Sequence, residues 1–399
     1  MKEKSRTPAP GRAAKKRARI TANAAKRSPS EQPSHPFGLH ALTTAAMLTA
    51  AAWPLAADPE KRENVLRAVS DMAGAMIRGI DAYRHAGRSV KPPRHETVWQ
   101  DGTSRLLRVN GAQEGAAPVL LVPSLINRFH ILDLDARQSF VLYLRDRGYA
   151  PYILDWDMPG AAEKQFTIDD YILRRLHPAM ARLNRPHVIG YCMGGTMAAG
   201  ALAALADRAN VRSLTALAAP WDFHAGDPFR ALRMQAFSLS AQGVMAATGV
   251  LPVDWIQALF ASIDPLFAFN KFRAYAEMDK DSEAARRFVT VEDWLNDGVD
   301  LAAPAARQAL EEWYVENQPA NGVWTIGRAL ADPSTIRTPA LVVAAGGDRL
   351  VPQQSALALH AQIVAAEKHT PEIGHIGMMA SARAPAAVWD RVVAFLAAH

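Results

Sequence analysis

The sequence predicts a doubly wound α/β fold with a mostly parallel sheet, a helical cap inserted into it and a helical extension before it. Three observations carry this reading. Continuous apolar runs at 119–122, 151–154, 187–191, 213–218 and 340–345 read as strands buried on both faces. Helical patterns at 138–147, 168–183 and 193–206 lie between them, and such alternation builds a parallel sheet with crossover helices. Between Pro220 and about Thr338 the alternation stops, and the chain turns helical and aromatic, from Trp221 to Trp324. An insertion of that size between two strands sits over the carboxyl edge of the sheet.

Composition sets the outer limits. Of 399 residues, 49% are hydrophobic and 21% charged, which excludes a collagen, a coiled coil or a wholly disordered chain. The single cysteine excludes an internal disulfide and any zinc site built from cysteines. The net charge of +6 is carried by a tail: ten lysines and arginines against Glu3 and Glu31 lie within the first 36 residues. Residues 1–37 therefore read as a disordered basic arm, too poor in apolar periodicity to order itself. Its charge also suits weak attachment to nucleic acid or to an anionic surface, through counterion release and not base readout.

Residues 38–57 contain no Asp, Glu, Lys or Arg, yet Ala and Thr dominate, with His40 and Pro54 inside. The run reads as a helix packed on an apolar surface and not as a membrane span or a signal peptide. Asp58-Pro59 is expected to cap a following helix. Val65, Leu66, Val69, Met72, Met76, Ile77, Ile80 and Tyr83 are spaced as its single apolar stripe. The expected core begins at about 93, with a hairpin around Asp101-Gly102, and runs to 220; the cap occupies 221–337 and the second part of the core 338–399.

The only cysteine stands in His187-Val188-Ile189-Gly190-Tyr191-Cys192-Met193-Gly194-Gly195-Thr196. An apolar strand enters this segment and an Ala-rich helix leaves it, with Gly190 and Gly194 flanking the sulfur. That is a nucleophile elbow with Cys where Ser is commoner. Side chains at the two glycines are expected to collide with neighbouring backbone. Cys192 is placed at a helix N-terminus, which favours the thiolate. The Met193 N–H is the first expected oxyanion donor and the Leu125 N–H the second.

Such a nucleophile needs a base and a group to orient it. Asp348, in Gly346-Gly347-Asp348, follows the expected strand 340–345, and His375 lies between Gly374 and Gly377 further on. Nucleophile, acid, histidine is the chain order of an α/β hydrolase. Asp155 and Asp222 also end expected strands and are the alternatives for the acid.

Further segments resemble the polyhydroxyalkanoate synthase family in its short, class III or class IV form, across 93–399. Gly190 to Met197 is similar to the class IV nucleophile segment, and Asn127 to Leu134 to the family's N-[KR]-x-x-[IM]-L-D-L stretch. Leu154-Asp155-Trp156 with Asp169-Asp170-Tyr171 resembles its L-D-W and D-D-Y pair, and Pro220-Trp221-Asp222-Phe223 its P-x-D-F. Tyr314 to Asn317 with Asn321-Gly322 is similar to a segment of its cap, although Pro319 stands where the family usually carries Leu. The resemblance implies that Cys192 is loaded with a 3-hydroxyacyl group from CoA and passes it to a growing polyester hydroxyl. The implied partners are a second copy of the chain or an accessory synthase subunit, in the cytoplasm or at a polymer granule surface.

The elbow by itself also fits a hydrolase of the dienelactone hydrolase kind, releasing the acyl group to water, and a scaffold without catalysis is a third reading. No H-E-x-x-H, Walker loop or G-x-G-x-x-G after a strand is present, so no metal or other cofactor is expected.

Overall fold

A computed structural model describes residues 59–87, 95–205, 210–263 and 267–399. The expected basic arm, the 38–57 run and the Asp58 cap lie outside these residues. Eight strands form one sheet: β1 (Glu96–Asp101), β2 (Ser104–Arg108), β3 (Ala117–Val122), β4 (Tyr149–Asp155), β5 (His187–Tyr191), β6 (Ser213–Leu217), β7 (Ala340–Val343) and β8 (Ala366–His369). Their order is β1-β2-β4-β3-β5-β6-β7-β8. The β1–β2 hairpin is antiparallel and joins β4 antiparallel, while every pairing from β4 to β8 is parallel.

The helices that matter for the site are α1 (Pro59–Arg84), α2 (Phe140–Arg145), α3 (Met193–Ala204), α4 (Arg230–Thr248), α5 (Val253–Ile263), α6 (Phe267–Glu277), α7 (Glu283–Asn296) and α8 (Asp390–Ala398). Successive side chains of a strand point to opposite faces, so each apolar run supplies two cores at once. Leu120, Val122, Val188, Leu214 and Val342 pack with Met197 and Ala201 of α3. Val119, Leu121, Ile189, Leu217 and Val343 pack with Phe140 and Leu144 of α2 and with Phe395 of α8. This two-sided burial is why the runs lack polar alternation.

One buried ionic cluster ties the hairpin to the body. Arg175 donates to Glu163 and to Asp101, both at 2.9 Å, and the Arg175 and Glu163 side chains are buried. Gly102 turns the hairpin at φ +57° directly above it, where a Cβ would lie 1.9 Å from Glu163 Oε1.

The insertion between β6 and β7 holds α4 to α7, followed by helical turns over 303–315. It is not wholly helical as expected. Val250–Leu251 pairs with Leu301–Ala302, and Thr325–Ile326 with Ala329–Leu330. Two-residue ladders are too short to leave a periodic signal in sequence.

The helix α1 docks on this insertion. Met76 and Tyr83 pack among Phe269, Phe272, Tyr275, Ala285 and Val289. Contact is close enough that a Cβ on Gly79 would lie 1.9 Å from the Phe272 carbonyl oxygen. Of the expected stripe, Val65, Leu66 and Val69 lie outside the residues whose side chains are described; Met72, Met76, Ile80 and Tyr83 face the insertion, whereas Ile77 is 65% exposed and turns away from it. No helix among the described residues is long and apolar enough to cross a membrane.

Candidate active site

The strand β5 delivers Cys192 at φ 54° and ψ −128°, and α3 begins at the next residue. A non-glycine residue at positive φ is strained and persists only where its surroundings enforce it. Here the enforcement is visible. The Cys192 N–H bonds the Leu217 carbonyl of β6 at 2.8 Å, and the Cys192 carbonyl accepts from Gly195 at 2.8 Å. A Cβ on Gly190 would lie 2.4 Å from Gly195 Cα, and one on Gly194 would lie 2.2 Å from the Val122 oxygen. Both glycines are therefore required by backbone approach.

Gly194→Ala makes this testable in sign. Helix propensity alone would stabilise the protein by about 1 kcal/mol. The clash instead forces α3 away from β3, and we expect a loss of about 2–3 kcal/mol, read from the denaturation midpoint. A midpoint that rises would mean that the first turn of α3 has room.

His375 and Asp348 meet the elbow from the other side. His375 Nδ1 lies 2.6 Å from Asp348 Oδ2, with both side chains buried. The other carboxylate oxygen accepts from the Leu350 N–H at 2.9 Å and the Val351 N–H at 2.8 Å, which fixes its direction. Burial alone lowers the imidazole pKa. The charge of Asp348, the charge of Cys192 and hydrogen bonds to both outweigh it and push His375 up to about 10. Cysteine, imidazole and carboxylate thus form one connected set.

The alternative acids are occupied elsewhere. Asp155 pairs with Arg105 at 2.6 Å, and Asp222 accepts from Asn317 Nδ2 at 2.8 Å. Met193 lines the same cavity as Cys192 and His375, and its N–H, at the first turn of α3, has no intrahelical acceptor. Leu125 sits between two wall residues, Ser124 and Ile126, but its side chain is buried in the core.

Two tyrosines that the sequence did not single out as site residues complete the surroundings. The Tyr191 hydroxyl donates to the His375 carbonyl at 3.2 Å, and the rings stand 5.1 Å apart. Tyr314 lies in a π-helical turn, Ala309–Val315, that widens the backbone beside the cavity. Burial first, and the charge of Cys192 second, push its phenol up to about 12, so it stays a neutral hydroxyl. Tyr191 occupies the position before the nucleophile, which was the available signal; Tyr314 was legible only as part of a motif.

Above the set lies a cavity of about 690 Å³. Its walls are mainly apolar, with Phe223, Met234, Ile256, Phe260 and Trp313 from the insertion. Most other aromatics of the insertion are ordinary core, Trp221 and Trp324 among them. The segment Asn127 to Leu134 binds the insertion to the body: Arg128 pairs with Asp157 and Asp297, each at 3.1 Å, and its carbonyl accepts from Trp294 Nε1 at 2.8 Å. Asn317 ties the start of the insertion to its later part, accepting from the Phe223 N–H at 2.9 Å. Among the described residues no group of His, Cys, Asp and Glu is placed to hold a metal ion.

Cys192 on a strand-to-helix elbow, Asp348 after β7 and His375 after β8, all at the carboxyl edge of a parallel sheet, are the arrangement of an α/β-hydrolase fold. Residues 117–382 match the family described as the alpha/beta hydrolase fold, and the chain belongs to that family. Residues 68–144 match the family described as the poly-beta-hydroxybutyrate polymerase (PhaC) N-terminus. The chain is 28% identical over 306 residues to a poly(3-hydroxyalkanoate) polymerase subunit PhaC of Haloarcula marismortui, covering 74% of this chain and 64% of that one. It is also 28% identical to a subunit of the same name from Synechocystis, covering 72% of this chain and 80% of that one. The chain thus spans about 64% of the length of the haloarchaeal relatives that it matches. Among solved structures, a carboxylesterase of Nitrososphaera gargenis aligns with a TM-score of 0.49 and 12% identity, covering 75% of this chain and 97% of that one.

Proposed function

We propose that the chain is an acyltransferase of the polyhydroxyalkanoate synthase type, which moves a 3-hydroxyacyl group from CoA to the hydroxyl of a polyester chain through Cys192. One observation carries the reading: Cys192, joined to a His375 imidazole held protonated, opens into a large apolar cavity. The similarity to polymerase subunits supports the same substrate class.

The resting site holds its proton on His375, and the reacting form of Cys192 is the thiolate. The thiolate attacks the thioester carbonyl, and the developing oxyanion is met by the Met193 N–H and, as the second proposed donor, the Leu125 N–H. The carbon–sulfur bond to CoA breaks, and His375 gives its proton to the leaving sulfur. Acylation removes the Cys192 charge, one of the causes that raise the His375 pKa, so the imidazole that has given up its proton stays neutral and is free to act as the base of the second step. It takes the proton of the acceptor's 3-hydroxyl, and that oxygen attacks the acyl-Cys192 carbonyl. The new ester forms, thiolate leaves and the ion pair is restored. Apolar walls favour a hydroxyl carried on an acyl chain over water.

The subunit names of the relatives support a partner, either a second copy or an accessory synthase subunit, and the working place is the cytoplasm or a granule surface. Supplying (R)-3-hydroxybutyryl-CoA and following both CoA release and polymer tests the reading. CoA release with polymer is expected. Release with only free hydroxy acid would make the protein a hydrolase, and no release, unchanged by Cys192→Ala, a scaffold.

A further inference from the structure

We propose that α1 supplies one wall of the acyl cavity and that Met76 is the stop that sets the acyl length the cavity accepts; the substrate class in this statement rests on the acyltransferase reading above. Met76 is buried and lines the same cavity as Cys192 and His375, although it belongs to a helix outside the sheet and outside the insertion. Phe272 of α6, with which Met76 packs, lines the cavity as well, and Phe260 and Ile263 of α5 and Asn270 of α6 also contribute to its walls. Cys192 and His375 enter the cavity from the sheet edge, so an acyl chain carried on Cys192 runs away from the sheet towards the insertion and α1.

The wall is held in place. Gly79 brings α1 into backbone contact with α6 one turn beyond Met76. The Tyr83 hydroxyl donates to Asp293 at 2.7 Å and accepts from Asn296 Nδ2 at 3.1 Å, and Asn296 itself lines the cavity. A fixed helix bearing an unbranched side chain makes a stop whose position depends on that side chain's length. One methylene more or less in an apolar pocket changes discrimination by about 10- to 200-fold.

The test reads the cavity directly by alkylating Cys192 with N-alkyl iodoacetamides of increasing alkyl length and following adduct formation by intact mass. For the wild-type chain the rate should fall once the alkyl group reaches Met76. In Met76→Ala that fall should move to chains longer by about two to three carbons, the length of side chain removed. In Met76→Trp it should move to shorter chains, with about tenfold slower reaction per excess methylene. Met76→Leu, which conserves volume, should keep the wild-type cut-off. Cut-offs that coincide in the alanine, tryptophan and wild-type chains, or that move in the order opposite to side-chain size, overturn the assignment. Because iodoacetamides need no acyl transfer, a shifted cut-off in a protein that releases no CoA from (R)-3-hydroxybutyryl-CoA would remove the acyltransferase reading and leave the wall.

Discussion

Cys192→Ala should lower CoA release from (R)-3-hydroxybutyryl-CoA by about 10⁶-fold and abolish the covalent acyl adduct. The reason is chemical and not structural. Among the cavity-lining side chains, Cys192 is the one whose charge and hydrogen bond act on the His375 imidazole. Alanine keeps the Cβ and leaves the elbow's backbone bonds to Leu217 and Gly195 intact, so the unfolding midpoint should stay near that of the wild type. The variant should also release His375 from one of the two charges that raise its pKa. Substantial turnover, or an adduct found on another residue, would remove Cys192 from the mechanism.

Asp348→Asn should slow acylation by about 10⁴-fold, in line with the effect of removing the orienting carboxylate from a nucleophile–histidine pair. Two effects combine. The amide no longer fixes the imidazole with its proton on Nδ1, and the first of the causes that raise the His375 pKa is lost. The sign of the pH effect follows. In the wild type the imidazolium persists through neutrality and is lost only as pH rises through about 10. In the variant the descending limb of the pH–rate profile for acylation moves to lower pH. Stability should show the same link: a folded pKa above the ordinary value near 6.5 contributes stability below that value, lost as pH rises through about 10. An unmoved descending limb with near-normal turnover would reassign the acid.

Much of this site was legible because its chemistry constrains its neighbours. Gly190 and Gly194 are spelled out by backbone clashes, and Asp348 and His375 by their places after strands, so residue type and order sufficed. Elements held only by tertiary context were not legible. The strand β8 reads Ala-Glu-Lys-His; it lies at the sheet edge with Glu367 and Lys368 exposed, and nothing in those residues demands a strand. Ile77 fell on the idealised helical stripe, but only the packed helices show that it is exposed. Asp155 and Asp222 satisfied the sequence pattern for an acid as well as Asp348 did, and only their partners Arg105 and Asn317 distinguish them. Met76 carries no sequence signal of a cavity at all, since a core methionine and a wall methionine look alike until helices are packed.

The insertion separates β6 from β7 in sequence although the two strands lie side by side. A ribosome therefore releases β3, β5 and the cysteine turn well before it releases the carboxylate and the imidazole. Asp348 and His375 both lie within residues 340–399, so the site proposed around Cys192 is complete only after the whole roof that covers it has been made.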